Sequence, residues 1–293
     1  MNSDDQPAPL QPLTFGGVAA FARAPWLRLF AVQLAFAVLA AACVMICLRL
    51  AWFPVVTGAV RALPDKGALR QGRLEWPDNS PAVLAENRFL SLVVDVEDPG
   101  RAGQTAHLQI EFGRRELRFN ALAGYLPLAY PANWSAAFNR PALQPWWGAW
   151  RLALLAGLGA LVVVKLFFSW ALLAALYLPV VRGVSCLTNR KARWGECWRL
   201  AAAALLPGAL VMSGAILLYG LSQLPLEGLA LALALHLVIG WVYLLGAALR
   251  LPPPAAPPAA ARANPFAPDP PAPRPGNPFH PPPTDGGGQG DRV

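Results

Sequence analysis

Charge is what this chain has least of. Only 14% of its 293 residues are Asp, Glu, Lys or Arg, against about 25% in an ordinary soluble domain, while 56% are hydrophobic. The shortage is uneven, because long apolar runs pass with almost no charge at all. That distribution excludes a conventional soluble globule and makes a lipid bilayer the expected solvent. Cysteine is scarce too: four are present and none lies between residues 51 and 150, so that segment must fold without disulfides. Cys43 and Cys47 stand one helical turn apart in an apolar run, and Cys186 and Cys197 lack the second pair or neighbouring histidine that a zinc site needs. Of three histidines, none belongs to a metalloprotease motif, and there is no nucleophile elbow or phosphate-binding glycine loop. No catalytic activity, cofactor or metal is expected.

The formal net charge of +8 must be read by position. Residues 1–50 contribute +1, residues 51–150 carry ten basic and nine acidic side chains, and residues 251–293 carry three of each. The stretch 182–199 holds Arg182, Arg190, Lys191, Arg193 and Arg199 against Glu196 alone. A nucleic-acid binder spreads basic and aromatic residues over a folded face. A basic connector between apolar runs is a positive-inside signal instead, and no nucleic-acid partner is expected.

Four runs are long enough to cross about 30 Å of hydrocarbon at 1.5 Å per residue: 27–50, 151–181, 200–222 and 228–249. The connector 182–199 is then cytoplasmic, which places both termini inside, and segment 51–150 and hairpin 223–227 outside. Arg23 before the first run and Arg28 at its start agree. Ala40-Ala41-Ala42-Cys43 has the look of a lipoprotein cleavage site, but the apolar run continues past it, so a retained anchor is expected. Within the leading segment 1–26, Phe15–Ala24 reads as a short interfacial helix or as an extension of the first span.

The outer segment has the period-two code of strands. Ala106–Phe112 alternates, and Arg115–Phe119 follows Gly113-Arg114, which predicts a type II′ hairpin pairing Ile110 with Leu117, Leu108 with Phe119 and Gln109 with Arg118. Glu111 then faces Glu116 unfavourably. Phe89–Glu97 reads as a mostly buried strand and Gly72–Trp76 as a shorter one. Together they predict a small antiparallel sheet of four or five strands. Asp95, Glu97, Asp98 and His107 are the only grouping with catalytic potential, and acids beside Pro99-Gly100 read as a solvated strand end.

Trp146, Trp147 and Trp150 precede Arg151, as an interfacial anchor delivering the chain into the second span. Lys165 interrupts that span; Glu227 and His236 fall at similar or deeper levels, so the three form a candidate intramembrane polar cluster, with a Lys165–Glu227 pair above His236. The tail from Leu251 has 15 prolines and five glycines in 43 residues and is expected to be disordered. Within it Asn264-Pro265-Phe266 recurs as Asn277-Pro278-Phe279, a candidate docking motif.

The layout resembles a bacterial four-span inner-membrane family of unknown function that includes accessory proteins encoded near maltodextrin-uptake systems. The resemblance rests on Phe15–Ala24, Gly72-Arg73-Leu74, Leu92-Val93-Val94-Asp95, and Trp198-Arg199-Leu200-Ala201 leading to Ala204-Leu205-Leu206-Pro207. It implies a bacterial inner-membrane location and no assigned activity. The expectation is an α-helical membrane bundle of four transmembrane helices with a small antiparallel β-rich extracytoplasmic domain and a disordered C-terminal tail. Its partners would be membrane lipid and another envelope protein, in a non-enzymatic accessory, scaffold or sensor role. The rival reading is a small transporter subunit using Lys165, Glu227 and His236.

Overall fold

The computed structural model describes residues 11–97, 103–122, 124–190 and 192–251, all within one compact unit. Four helical stretches are long and apolar enough to cross a membrane: Trp26–Ala62, Arg140–Leu187, Trp194–Gly220 and Leu226–Ala248. Each begins or ends beyond its apolar run, for local reasons.

The first comprises α2 (Trp26–Cys47), a π-helical turn (Leu48–Trp52) and α3 (Phe53–Ala62). Pro54 does not terminate it. Proline has no N–H to give the carbonyl four residues back, and its ring crowds that carbonyl. Widening the preceding turn relieves both problems: Phe53 N–H bonds Leu48 O, five residues back, and the helix runs on.

The long helix α4 (Arg140–Leu187) starts within the segment expected to lie outside, because Asn139 caps it by accepting from Ala142 N–H at 3.1 Å. It therefore already includes Trp146, Trp147 and Trp150. It ends with Asn189 in the left-handed region at φ 53° and Arg190 N–H bonded to Ser185 O. Glu196 then accepts from Arg193 N–H at 2.9 Å to start α5 (Trp194–Ala204). The basic connector 182–199 is thus largely helical, since α4 runs to Leu187 and α5 starts at Trp194. Leu205 separates α5 from α6 (Leu206–Gly220), two residues before Pro207, and α7 (Leu226–Ala248) follows a tight turn. The short α1 (Phe15–Phe21) is a separate helix packed on α5 and α7, with Val18 and Phe21 fully buried among Leu200, Ala201 and Leu244.

Between α3 and α4 lie two sheets. The first has order β2-β1-β8, formed by Arg73–Glu75, Ala68–Arg70 and Ala136–Ala137. Its hairpin turns through Gln71 and Gly72, both at positive φ, so Gly72 belongs to the turn and not to the strand. The second has order β3-β4-β5-β6-β7: Ala82–Glu86, Leu90–Val94, Leu108–Phe112, Glu116–Ala121 and Gly124–Ala129.

Two expectations about this sheet need correction. It is not wholly antiparallel, since β4 and β5 pair in parallel, Leu90 opposite Leu108 and Val94 opposite Phe112. The connection from Asp95 to His107 is long enough for the crossover that parallel pairing requires, about a dozen residues. The β5–β6 register also differs by two residues: Phe112 faces Leu117, Ile110 faces Phe119 and Glu111 faces Arg118. The turn is Arg114-Arg115, closed by Gly113 N–H to Glu116 O, and neither turn residue has positive φ. A shift of two keeps every side chain on its own face. It replaces a Glu–Glu contact with an ion pair.

The apolar face of the larger sheet packs on α3, with Val55, Ala59, Leu90 and Leu92 at the centre. The opposite face is polar yet buried. Ser91, Asp95, Gln109, Glu111 and Arg118 are each at most 4% exposed.

Candidate functional site at the junction of sheet and bundle

The ends of β3 and β4 meet the helices through the loop Asn87-Arg88-Phe89. Asn87 Oδ1 accepts from Phe89 and Leu90 N–H at 2.9 and 3.0 Å, which shapes the loop. Its Nδ2 donates at 2.6 Å to the Ala51 carbonyl, inside the π-helical turn that Pro54 imposes. Arg88 donates to Leu224 O at 3.1 Å in the α6–α7 turn, with its guanidinium 4.6 Å from the Phe89 ring centroid. Phe89 is buried against Tyr219 at 5.0 Å in an edge-on contact, and His107 Nδ1 lies 2.7 Å from the Tyr219 hydroxyl. Three hydrogen bonds and an aromatic cluster thus tie the sheet to the helices at the end where α6 stops.

None of these residues stood out in the sequence except His107. Asn87, Arg88 and Tyr219 carry no motif, and the contacts join positions 36 to 136 residues apart. His107 and Asp95 do not meet as an acid–base pair. Asp95 is fully buried rather than solvated: its Oδ1 lies 3.4 Å from Ser80 Oγ, and its carbonyl accepts from Arg118 Nη2 at 3.2 Å. Glu97 is exposed and Asp98 lies outside the described residues. Arg118 also pairs with Glu111. Burial pushes the Glu111 carboxyl up from the usual carboxylate range, and the Arg118 charge acts against it. Asp95 adds to the upward push on Glu111, so the face buries two carboxylates around one guanidinium. Among the described residues no cluster of three or more His, Cys, Asp or Glu is placed to hold a metal.

The proposed cluster of Lys165, Glu227 and His236 is not brought together. Lys165 and Glu227 are exposed on α4 and α7 and form no ion pair with each other. Glu227 sits in the first turn of α7, where a carboxylate complements the helix dipole. His236 bonds through Nδ1 to the Leu233 carbonyl of its own helix. It also reaches a cavity of about 180 Å³ among α2, α4, α6 and α7, walled mainly by apolar side chains such as Leu166, Trp170, Met212 and Leu237.

Of the three tryptophans, Trp146 and Trp150 are about half exposed, at 49% and 54%. Trp147 packs edge-on against Phe53 and donates to Thr57 Oγ1 at 2.9 Å, fastening α4 to α3. The two Asn-Pro-Phe triplets, Asn264–Phe266 and Asn277–Phe279, lie outside the described residues.

The outer part of the larger sheet is uncovered. All six residues of edge strand β7 are exposed, with Leu126 and Leu128 at 64% and 58% on the same face as Leu117 and Phe119. No family model, curated protein or solved structure matches this chain.

Proposed function

We propose that this chain is a multi-pass protein of a bacterial inner membrane whose outer domain docks a partner protein, in an accessory, scaffold or sensor role without catalysis. Both described chain ends and the basic connector lie at one end of the bundle: Arg199 bonds Ala24 O, Tyr243 bonds Leu13 O, and Trp26 packs on Trp198. The sheets lie at the other end. With the basic end cytoplasmic, the sheets are outside.

The observation that carries the docking reading is the exposed apolar surface of Leu126 and Leu128, continued by the half-buried Leu117 and Phe119, on a sheet whose other half is covered by α3. Contiguous exposed apolar surface of this kind marks interaction sites. The edge itself is guarded. Pro127 lies between residues that hydrogen-bond β6, so its missing N–H is on the outward edge and strand addition there is interrupted. Recognition falls to the face. The junction then carries any tilt of the sheet to the π-helical turn and the α6–α7 turn.

The test is a photocrosslinking residue at Leu126 or Leu128 in the membrane-embedded protein. A discrete adduct is expected, absent when the probe is at Gln71 and lost in Leu117→Asp. No adduct, or the same adduct from Gln71, would overturn the reading.

The cavity reaching His236 favours a second reading, a solute path through the bundle. The cavity alone carries that reading, since its walls are mainly apolar and His236 is bonded to its own helix. His236→Ala would abolish uptake of a solute if the path existed; unchanged uptake in cells carrying the variant removes it.

A further inference from the structure

We infer that the outer end of the α2–α3/α4 helix pair holds an anionic phospholipid, with its headgroup among Arg49, Arg61 and Arg151. These three arginines line one groove of about 440 Å³ together with Phe53, Thr57 and Leu155. All three are exposed, and none takes part in an ion pair among the described residues. A groove with three guanidiniums and no opposing carboxylate is electrostatically complementary to a phosphate diester. Phe53, Leu152 and Leu155 in its wall suit the glycerol and upper acyl region.

The height of the groove is fixed by packing. Helices α2–α3 and α4 run antiparallel, with Met45 against the Gly159 position and Thr57 bonded to Trp147, contacts twelve residues apart on either helix. Arg151 therefore stands about 6 Å above Arg49 and about 12 Å below Arg61 along the axis, at 1.5 Å per residue. Arg49 and Arg61 thus mark the two ends of the groove, about 18 Å apart, with Arg151 between them. The charge-free stretch between Arg28 and Arg49 rises about 30 Å, the hydrocarbon thickness, so Arg49 marks its outer limit. By the same register half-exposed Trp150 and Trp146 stand about 8 and 14 Å above Arg49, on the side of the headgroup layer, where indole rings are enriched. The occupant is thus a lipid of the outer leaflet rather than a soluble phosphate ion.

The experiment uses the full chain in detergent, titrated with phosphatidylglycerol or phosphatidylcholine of matched acyl chains, with retained lipid counted by native mass spectrometry. A preference of about tenfold for phosphatidylglycerol is expected, equivalent to about 1.4 kcal/mol. Arg49→Gln/Arg61→Gln/Arg151→Gln should reduce it to near unity, while Arg182→Gln/Arg190→Gln/Arg193→Gln at the opposite end leaves it intact. Should the first triple variant not fold, Arg151→Gln must weaken the preference and Arg151→Lys restore most of it. No preference in the parent chain, an undiminished preference in the groove variant, or equal loss in the control variant would each overturn the site. Competition by inorganic phosphate at millimolar levels would reassign it to a free anion and equally overturn the lipid. The crosslink at Leu126 does not depend on any of these outcomes.

Discussion

At the scale of single residues, the buried polar face of the larger sheet is set by one arginine. Arg118 touches Glu111, Glu116 and the Asp95 carbonyl, and it needs Gly113: a Cβ there would come within 2.5 Å of its guanidinium. Gly113→Ala should displace Arg118 and leave buried charge uncompensated, a loss of about 2–3 kcal/mol seen as a lower unfolding midpoint for the sheet region. An unchanged midpoint would refute this account of the network. The sequence shows Gly113 as a turn residue, but its use is steric, and only the packed neighbour reveals that. Tyr130 offers a cleaner test, because its buried hydroxyl has no hydrogen-bond partner among the described residues and burial pushes its pKa up to about 12. An unfolded tyrosine ionises near 10. The contribution is therefore complete below pH 10 and is lost as pH rises through 12, because the unfolded chain releases its proton first. Tyr130→Phe should flatten the alkaline loss of stability and be neutral or stabilising by under about 1 kcal/mol at pH 7.

At the scale of elements, proline decides three boundaries in different ways. Pro54 widens a helix without ending it, Pro207 follows an interruption at Leu205, and Pro127 blunts a sheet edge. Sequence reasoning registers a proline as a breaker; which outcome follows depends on whether the freed carbonyl finds a new donor or the missing donor faces outward. Pro127→Thr supplies an outward N–H to an exposed apolar edge strand. The variant should self-associate in detergent, visible as a larger species on size exclusion, whereas a monodisperse variant would dismiss the guarding role. Asn87→Ala removes both the loop's acceptor and the donor to Ala51. Faster amide exchange is expected at residues 87–90 and at the π-helical turn, with about 1–2 kcal/mol of local stability lost. Exchange raised in the loop alone would mean that the sheet and helix are not coupled there.

At the scale of the whole molecule, all connections divide between two ends of a bundle whose helices approach closely at small residues. A Cβ on Gly220 would come within 2.7 Å of Cys47 Cα, and one on Gly208 within 2.5 Å of the His236 carbonyl. The membrane assignment makes a sharp prediction: in a background lacking Cys186, cysteines placed at Arg73 and Arg190 should be labelled from opposite sides of the membrane. Labelling from one side would sink the topology. The sequence by itself determined the apolar helices, the alternating strands and the faces of the β5–β6 hairpin, because each depends on periodicity within a dozen or so neighbouring residues. Register, helix ends and the site were decided by tertiary structure. A two-residue slip preserves every face, so only the burial of Arg118 beside Glu111 could select among the even registers. Likewise the junction joins Asn87 to Ala51, Arg88 to Leu224 and His107 to Tyr219 across separations that no local pattern encodes. The scarce charge of the chain shows the same division. Its scarcity is compositional, but the gathering of Arg49, Arg61 and Arg151 in one groove exists only once two helices pack antiparallel.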